Sequence, residues 1–158
     1  MSAIPLTVSG VERLQQELHR LKTVERPEVI NAIAEARAQG DLSENAEYDA
    51  ARERQAFVEG RIKELEGTLS NAQVIDPSTL DSEGKAVFGA TVEIEDLESG
   101  KRVRYQIVGD IEADIRENRI SISSPVARAI IGRSEGDVVE VQAPSGVREY
   151  EVLSISYV

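Results

Sequence analysis

Residues 36–48, ARAQGDLSENAEY, decide the predicted fold because they stand midway between two runs of apolar residues with the same spacing. In each run the apolar residues recur at the steps of three and four that mark one face of a helix. Paired head to tail, the two runs match at four positions: Val11 with Ala72, Leu14 with Leu69, Leu18 with Leu65, and Leu21 with Ile62. Helices that pair in this order are antiparallel, and the midpoint lies between Asp41 and Leu42. The sequence therefore predicts an antiparallel coiled-coil hairpin with residues 36–48 at its tip.

The flanking residues predict the course of the first helix. Thr7 or Ser9 can cap its start, and Gly40 is a typical C-terminal residue. Pro27 removes one backbone hydrogen bond and clashes with the preceding turn, which predicts a kink or local break near Arg26. The spacing of apolar residues also loses its phase at this point.

The second helix is expected to begin at Asp41 or Ser43, both of which can cap it, and to run to about Ile75. Pro77 then stops it, because the residue before a proline is disfavoured in the helical conformation. From Val11 to the midpoint the chain covers about 30 residues, or about 45 Å of helix at 1.5 Å per residue. The predicted hairpin is therefore a long, slim rod with an acidic end.

After the hairpin the hydrophobic pattern changes to the period of two that is typical of half-buried strands. We predict strands over 91–97, 103–108, 120–123, 138–143 and 150–157, and one short helix over 125–131. The fold class is α+β, with a coiled-coil domain over 1–76, a linker over 77–84 and a small antiparallel sheet domain over 85–158.

Composition narrows the possible functions. The net charge is −11, so the protein is repelled by free nucleic acid, and any contact with nucleic acid would have to be local or mediated by a basic protein partner. There is no Cys, which excludes disulfides and thiolate metal sites. His19 is the sole histidine, and we interpret it as an ordinary helix residue. The start of the sequence lacks the features of a signal peptide and no segment is long and apolar enough to span a membrane, so we expect a cytoplasmic protein.

The acidic residues of the predicted tip are the candidates for chemistry. Carboxylate oxygens suit Mg²⁺, which keeps several waters and is commonly held by one or two carboxylates. Asp41 and Glu44 alone offer too few ligands for tight binding, so a partner would have to supply the others. The alternative is that these acids only cap a helix and interact with its dipole. Both interpretations remain open at this point.

Three arginines flank the tip: Arg37, Arg52 and Arg54. Arginine contacts phosphate groups in a bidentate manner, so these side chains could hold a phosphate backbone brought near the tip. Ion pairing along the helix faces is the alternative.

Several stretches, in a fixed order along the whole chain, resemble the bacterial Gre transcript cleavage factors. The tip motif is GDLSENAEY at 40–48, and the other stretches are AIP at 3–5, EGRIK at 59–63, LSNAQVI at 69–75, FGATV at 88–92, IVGDIEAD at 107–114 and SPVARAIIG at 124–132. The chain is closer to the GreA branch than to the GreB branch, which typically carries a more extended basic patch on its coil.

The resemblance implies a partner and a mechanism. In this family the coiled coil enters the secondary channel of RNA polymerase, and an FKBP-like C-terminal domain binds at the channel rim. The tip acids, here Asp41 and Glu44, would be donated to the polymerase active site and share its second Mg²⁺. The polymerase then cleaves backtracked RNA and rescues the arrested complex. The factor would have no cofactor of its own and would act as a monomer.

The resemblance also implies roles for other residues. Arg37 and Arg52 would contact the RNA 3′ end, and Ser43, Asn45 and Tyr48 would support the tip. The residues implied at the polymerase-binding surface are Asp110, Glu112, Asp114, Ser124 and Pro125.

Three other functions are consistent with parts of the sequence. A channel-binding inhibitor without cleavage activity, as in Gfh-type relatives, is the main alternative. A free-standing Mg²⁺ nuclease is disfavoured by the small number of ligands at the tip. A purely structural coiled-coil connector would make no use of the tip residues.

Overall fold

The computed structural model describes residues 3–38, 46–79 and 82–157. They form two compact units, one over Val11–Ala72 and one that combines Ala3–Gly10 with the residues from Gln73 onward. The helices are α1 (Val8–Arg20), α2 (Arg26–Ala38), α3 (Ala46–Ser70) and α4 (Pro125–Ile130). The strands are β1 (Ile4–Thr7), β2 (Ala72–Ile75), β3 (Thr91–Asp96), β4 (Arg102–Val108), β5 (Arg119–Ser121), β6 (Val138–Ala143) and β7 (Gly146–Ser156). No helix within the described ranges is long and apolar enough to cross a membrane.

The first unit is the predicted antiparallel hairpin, with α1 and α2 forming one arm and α3 the other. Ion pairs across the arms run in antiparallel order, because a later residue of the first arm pairs with an earlier residue of the second: Glu17 with Arg61, Arg26 with Glu59, and Glu28 with Arg54. The apolar residues that face the other arm are buried, and they are Leu14, Leu21, Val29, Ile33, Ala36, Ala51, Val58, Ile62 and Leu65. The pairing order confirms the hairpin that the sequence predicts.

A π-helical segment, Leu21–Glu25, joins α1 to α2. Its wider turn is closed by Arg26 N–H, which donates to the Leu21 carbonyl five residues earlier. A π turn takes up one extra residue, so Val29 follows Leu21 on the buried face one residue later than a heptad would place it. This segment is the irregularity predicted near Arg26. It also explains why the apolar spacing loses its phase there, since the extra residue leaves Glu28 exposed and paired with Arg54.

The helix ends differ from the prediction on the C-terminal side. Thr7 caps α1, since its Oγ1 accepts a hydrogen bond from Gly10 N–H at 2.9 Å, as one of the two predicted caps. The prediction that the second helix runs to Ile75 is wrong: α3 ends at Ser70, and β2 follows. The reason is tertiary, because β2 pairs with β1, a strand that local sequence signals did not reveal. The predicted helix boundaries at Gly40, Asp41 and Ser43 lie outside the described residues.

The second unit contains a five-stranded sheet in the order β5-β4-β3-β7-β6. The pairs β3–β4, β3–β7 and β6–β7 are antiparallel, as predicted, but β4 and β5 are parallel, so the prediction of a wholly antiparallel sheet is wrong for this pair. The connection between β4 and β5 contains two short 3-10 turns, Asp110–Glu112 and Ile115–Glu117, which return the chain to run in the same direction. Asn118 ends this connection in the left-handed region, at φ 55°.

The core of the second unit lies on one face of this sheet, against α4. Its buried members are Ala86, Ala90, Val92, Ile94, Ile107, Ile120, Ala127, Ile130, Val139 and Val152. The alternation of buried and half-buried residues along β3 is the period-two pattern seen in the sequence. Pro77–Thr79, in the segment predicted as a linker, forms a 3-10 turn with Pro77 buried.

Candidate functional site

The predicted tip lies mostly outside the part of the chain that the structure describes. Asp41, Ser43, Glu44 and Asn45 fall within the gap between residues 38 and 46, so their predicted roles stay predictions. Within the described ranges, no group of three or more His, Asp or Glu side chains could hold a metal ion. The residues on either side of this gap can be placed, and they define the candidate site.

Three predicted site residues meet between the two arms of the hairpin: Arg37 from α2, and Tyr48 and Arg52 from α3. Arg52 lies one helical turn after Tyr48, and its Nη1 donates to the Tyr48 hydroxyl oxygen at 3.2 Å. The Arg52 guanidinium carbon also lies 5.9 Å from the centre of the Tyr48 ring, within the range of a cation–π interaction. Arg37 lies beside the same groove as Arg52, and its hydrogen bond with the Tyr48 phenol is the first cause of the lowered pKa of that phenol. One phenol oxygen thus joins two arginines that belong to different arms.

The electrostatics of this group favour negative charge. The pKa of the Tyr48 phenol lies below its ordinary value, first because of the hydrogen bond from Arg37 and then because of the bond from Arg52. Both hydrogen bonds stabilise the negative form of the phenol oxygen. Tyr48 is half-buried, whereas Arg37 and Arg52 are exposed and accessible to a ligand. An anion that approaches this group meets two guanidinium groups at once.

A shallow groove of about 450 Å³ lies beside the two arginines. Its lining residues are Ile30, Ile33, Ala34, Arg37, Arg52 and Gln55. Ile30 is 51% exposed although it is large and apolar, so this side chain offers the groove a hydrophobic surface. Apolar side chains together with a few well-placed polar groups are the usual composition of a ligand site. The sequence analysis missed Ile30 and Gln55, and the signal that could have found them is their helical spacing from Arg37 and Arg52.

Arg54 behaves differently from the other two arginines. Its Nη2 lies 3.1 Å from Glu28 Oε2 across the hairpin, so its charge is largely balanced by a carboxylate. For Arg54 the ion-pairing interpretation is therefore the correct one. Arg37 and Arg52 converge instead on a neutral phenol, which leaves the phosphate-binding interpretation available to them.

In the second unit, Asp110 organises the segment that leads into α4. Its carboxylate accepts hydrogen bonds from the hydroxyls of Ser121 and Ser123. These bonds lower the pKa of Asp110, the bond from Ser121 most of all. Ser124 Oγ then caps α4 by accepting from Ala127 N–H at 3.3 Å, and the exposed Pro125 is the first residue of the helix. Asp110, Ser124 and Pro125 are thus linked by a short, hydrogen-bonded segment, in which the run SISSP at 121–125 was the unused sequence signal.

Asp114 holds the neighbouring 3-10 turn. Its Oδ1 accepts from Arg116 N–H at 3.1 Å and from Arg116 Nε at 3.3 Å, and Arg119 Nη2 lies 4.0 Å from its Oδ2. The side-chain hydrogen bond from Arg116 is the main cause of the lowered pKa of Asp114. Asp114 is half-buried, so it remains able to contribute to a surface.

Glu112 has a structural role that the sequence analysis missed. It is 6% exposed, and its carboxylate accepts from Thr7 N–H at 3.2 Å, Thr7 Oγ1 at 2.5 Å and Gly109 N–H at 3.0 Å. A carboxylate engaged in this way is not available to a partner at the surface. We therefore assign Glu112 to the attachment of β1 and remove it from the candidate surface. The sequence signal for this buried contact was a pair of glycines, Gly10 and Gly109, which leave room for it. A Cβ at Gly10 would lie 1.6 Å from Glu112 Oε1, and a Cβ at Gly109 would lie 2.4 Å from the Pro5 carbonyl oxygen.

Comparison with known proteins covers both units. The family model described as "Transcription elongation factor, N-terminal" matches residues 4–74, and the model described as "Transcription elongation factor, GreA/GreB, C-term" matches residues 81–157. Among curated relatives, transcription elongation factor GreA of Verminephrobacter eiseniae is 68% identical over 99% of both chains. GreA of Ralstonia nicotianae is 66% identical over the same share of both chains.

A solved structure of a more distant relative also matches. The GreA factor homolog 1 (Gfh1) protein of Thermus thermophilus is 32% identical, over 98% of this chain and 99% of its own, with a TM-score of 0.44. That score is too low to support a statement about the fold, which is described above from the chain itself. The two family models together cover nearly all of the sequence, and the GreA relatives match it from end to end. The chain belongs to the GreA/GreB family of transcription elongation factors.

Proposed function

We propose that this transcription elongation factor enters the secondary channel of RNA polymerase and stimulates the polymerase's own Mg²⁺-dependent cleavage of backtracked RNA. The observation that carries the proposal is the convergence of Arg37 and Arg52, from opposite arms, next to the residues that carry the acidic motif. Such a pair can hold an RNA phosphate, and the hairpin can present it inside a channel. The match of both family models to the chain supports the same reading.

The proposal assigns roles to residues as follows. Asp41 and Glu44 would complete the coordination of a Mg²⁺ ion held mainly by polymerase carboxylates, because hard oxygen ligands suit that ion and two carboxylates alone hold it weakly. Ser43 and Asn45 would support these acids. Asp110, Asp114, Ser124 and Pro125 would face the polymerase at the rim of the channel. The factor would itself catalyse no reaction, and it would work in the cytoplasm, where the polymerase is.

A cleavage assay tests this proposal. Halted, backtracked elongation complexes with labelled RNA are mixed with the protein, and the loss of the RNA 3′ end is followed in time. We expect Asp41→Asn or Glu44→Gln to reduce the stimulated rate by at least about tenfold, a loss typical for a group that acts in the transition state. Asp49→Asn is the matched control, because Asp49 is an exposed acid of α3 that lies outside the motif's proposed metal ligands.

Other outcomes would contradict the proposal in distinguishable ways. RNA degradation without polymerase would indicate a nuclease. Slower nucleotide addition without cleavage would indicate a channel-binding inhibitor. Full stimulation by both tip variants would show that the carboxylates have no part in cleavage.

A further inference from the structure

We propose that Tyr48 is a positioning residue whose phenol oxygen holds Arg37 and Arg52 together as a clamp for one RNA phosphate. This inference rests on the proposed function, since it takes the RNA of a backtracked complex as the ligand. It goes further by assigning the geometry of the clamp to a residue that touches neither the metal ion nor the scissile bond.

The first argument is the position of the phenol between the arms. Arg37 belongs to α2 and Arg52 to α3, so no single helix can set the distance between their guanidinium groups. The Tyr48 oxygen accepts from Arg52 Nη1 at 3.2 Å, and a hydrogen bond with Arg37 is the first cause of the lowered pKa of Tyr48. A phenol oxygen has two acceptor lone pairs, so it can accept from both arginines at the same time. The contact of Arg52 with the Tyr48 ring at 5.9 Å further restricts the orientation of that guanidinium.

The second argument concerns charge. The other arginines that cross the hairpin are held by carboxylates: Arg26 by Glu59, Arg54 by Glu28 and Arg61 by Glu17. A carboxylate positions an arginine but also cancels its charge. Among the described residues, the group that Arg37 and Arg52 share is a phenol, which positions them without the full negative charge of a carboxylate. The lowered pKa of Tyr48 has the same origin, since the two arginines favour negative charge at this point.

The third argument is preorganisation. An arginine side chain has several rotatable bonds, and ordering it during binding costs conformational entropy. Arginines already fixed in the free protein lose less on binding, so a phosphate is held more firmly and in one position. The groove beside the clamp, with Ile30 and Ile33 in its lining, can receive the adjoining ribose or base.

The decisive variant is Tyr48→Phe, which keeps the aromatic ring and removes the oxygen. In the full chain, with backtracked complexes and saturating protein, we expect the cleavage rate to fall about five- to tenfold, the effect of losing one or two charge-assisted hydrogen bonds. Binding to polymerase that carries no backtracked RNA should not change. Tyr150→Phe, a tyrosine of β7, is the matched control and should cleave at the wild-type rate.

A double-mutant cycle separates positioning from a general structural role. In the Arg37→Gln, Arg52→Gln background, Tyr48→Phe should cause no further loss, because the groups it positions are gone. An equal loss in both backgrounds, or a wild-type rate for Tyr48→Phe alone, would overturn the inference. Thermal unfolding of each variant shows whether the hairpin is still folded. A further variant, Arg52→Lys, keeps the positive charge but loses the planar guanidinium group. Arg52→Lys should also slow cleavage, and wild-type cleavage by it would count against the clamp.

The two proposals can fail separately. If the wild-type protein does not stimulate cleavage, the proposed function fails. If it does, and Asp41→Asn is impaired while Tyr48→Phe is not, only the clamp fails.

Discussion

Glu112 joins segments of the second unit that are far apart in the sequence. Through one carboxylate it binds Thr7 of β1 and Gly109 at the end of β4. A buried carboxylate needs several hydrogen bonds to offset the loss of water, and here the backbone of β1 supplies one of them. Gly10 allows this contact, because any side chain at that position would occupy the space of the Glu112 carboxylate.

We expect Gly10→Ala to destabilise the second unit by about 1–3 kcal/mol, since its Cβ would displace the Glu112 carboxylate from its hydrogen bonds. Urea unfolding followed by circular dichroism measures the change. The matched control is Gly60→Ala in α3, where a Cβ meets nothing within 4 Å. That change should stabilise the hairpin by about 0.5–1 kcal/mol, because alanine is the better helix former. Equal effects of the two substitutions would contradict this account of Gly10.

Among single residues, the sequence indicated candidate side chains better than it indicated their environments. Arg37 and Arg52 were considered because they flank the predicted tip and Tyr48 because it lies in the motif, and the structure places the three side chains near one another. Glu112 was assigned to a surface from the family resemblance alone, and the glycines at 10 and 109 that allow its burial were not used as a signal. Its burial depends on β1, a contact more than a hundred positions away in the sequence.

At the scale of elements, the π segment reconciles two observations that conflict in the sequence. The apolar residues of the first arm change phase, yet both halves of the arm face α3. One extra residue within Leu21–Glu25 restores the phase. Thr23 Oγ1 donates to the His19 carbonyl at 2.8 Å, a contact that favours bending at this point, and Pro27 lies two residues after the segment ends.

A deletion tests this interpretation. In a Pro27→Ala background, which removes the steric clash of proline with a regular helix, deletion of Thr23 should convert the segment to α-helix and keep Val29 on the buried face. We expect the midpoint temperature of thermal unfolding of this deletion variant to lie within a few degrees of that of the Pro27→Ala protein. Deletion of Ala32 in the same background is the control. It rotates Ile33 and Ala36 off the buried face, and should cost about 2–5 kcal/mol, comparable to the truncation of a large core residue. A hairpin equally disturbed by both deletions would show that the extra residue has another role.

The elements that the sequence predicted incorrectly share one property: they depend on a neighbour far away in the chain. Residues 72–75 continue the apolar pattern of the second helix, but AQVI is also acceptable as a strand, and pairing with β1 decides between the two. The parallel pairing of β4 and β5 similarly depends on a connection with two 3-10 turns, which has no period to detect. The long helices and the period-two strands could be predicted because their patterns are local.

At the scale of the whole molecule, the hairpin is an insertion within the second unit. That unit contains residues from before the hairpin, Ala3–Gly10, and residues from after it, starting at Gln73. β1 and β2 pair with each other on either side of the inserted helices. The second unit therefore has its own core and its own hydrogen bonds to β1, and the sequence boundary at residue 76 did not anticipate this arrangement.

We expect the second unit to fold without the hairpin. A variant in which residues 11–71 are replaced by a flexible linker of about ten Gly and Ser residues should unfold cooperatively in urea, because its core is complete. The same variant without residues 3–7 should be less stable by about 2 kcal/mol or more, since Glu112 then loses its bonds to Thr7. Equal stability of the two variants would show that β1 contributes nothing to this unit.

The π-helical segment Leu21–Glu25 affects how the length of the hairpin can vary. Adding one heptad to each arm lengthens a helical hairpin by about 10 Å and preserves the register of the facing residues. The length of the hairpin can therefore change in steps of one heptad. One extra residue in one arm does not rotate the buried face away from the other arm, because a single π turn accommodates the extra residue. The two arms can therefore contain unequal numbers of residues and still keep their buried faces in register.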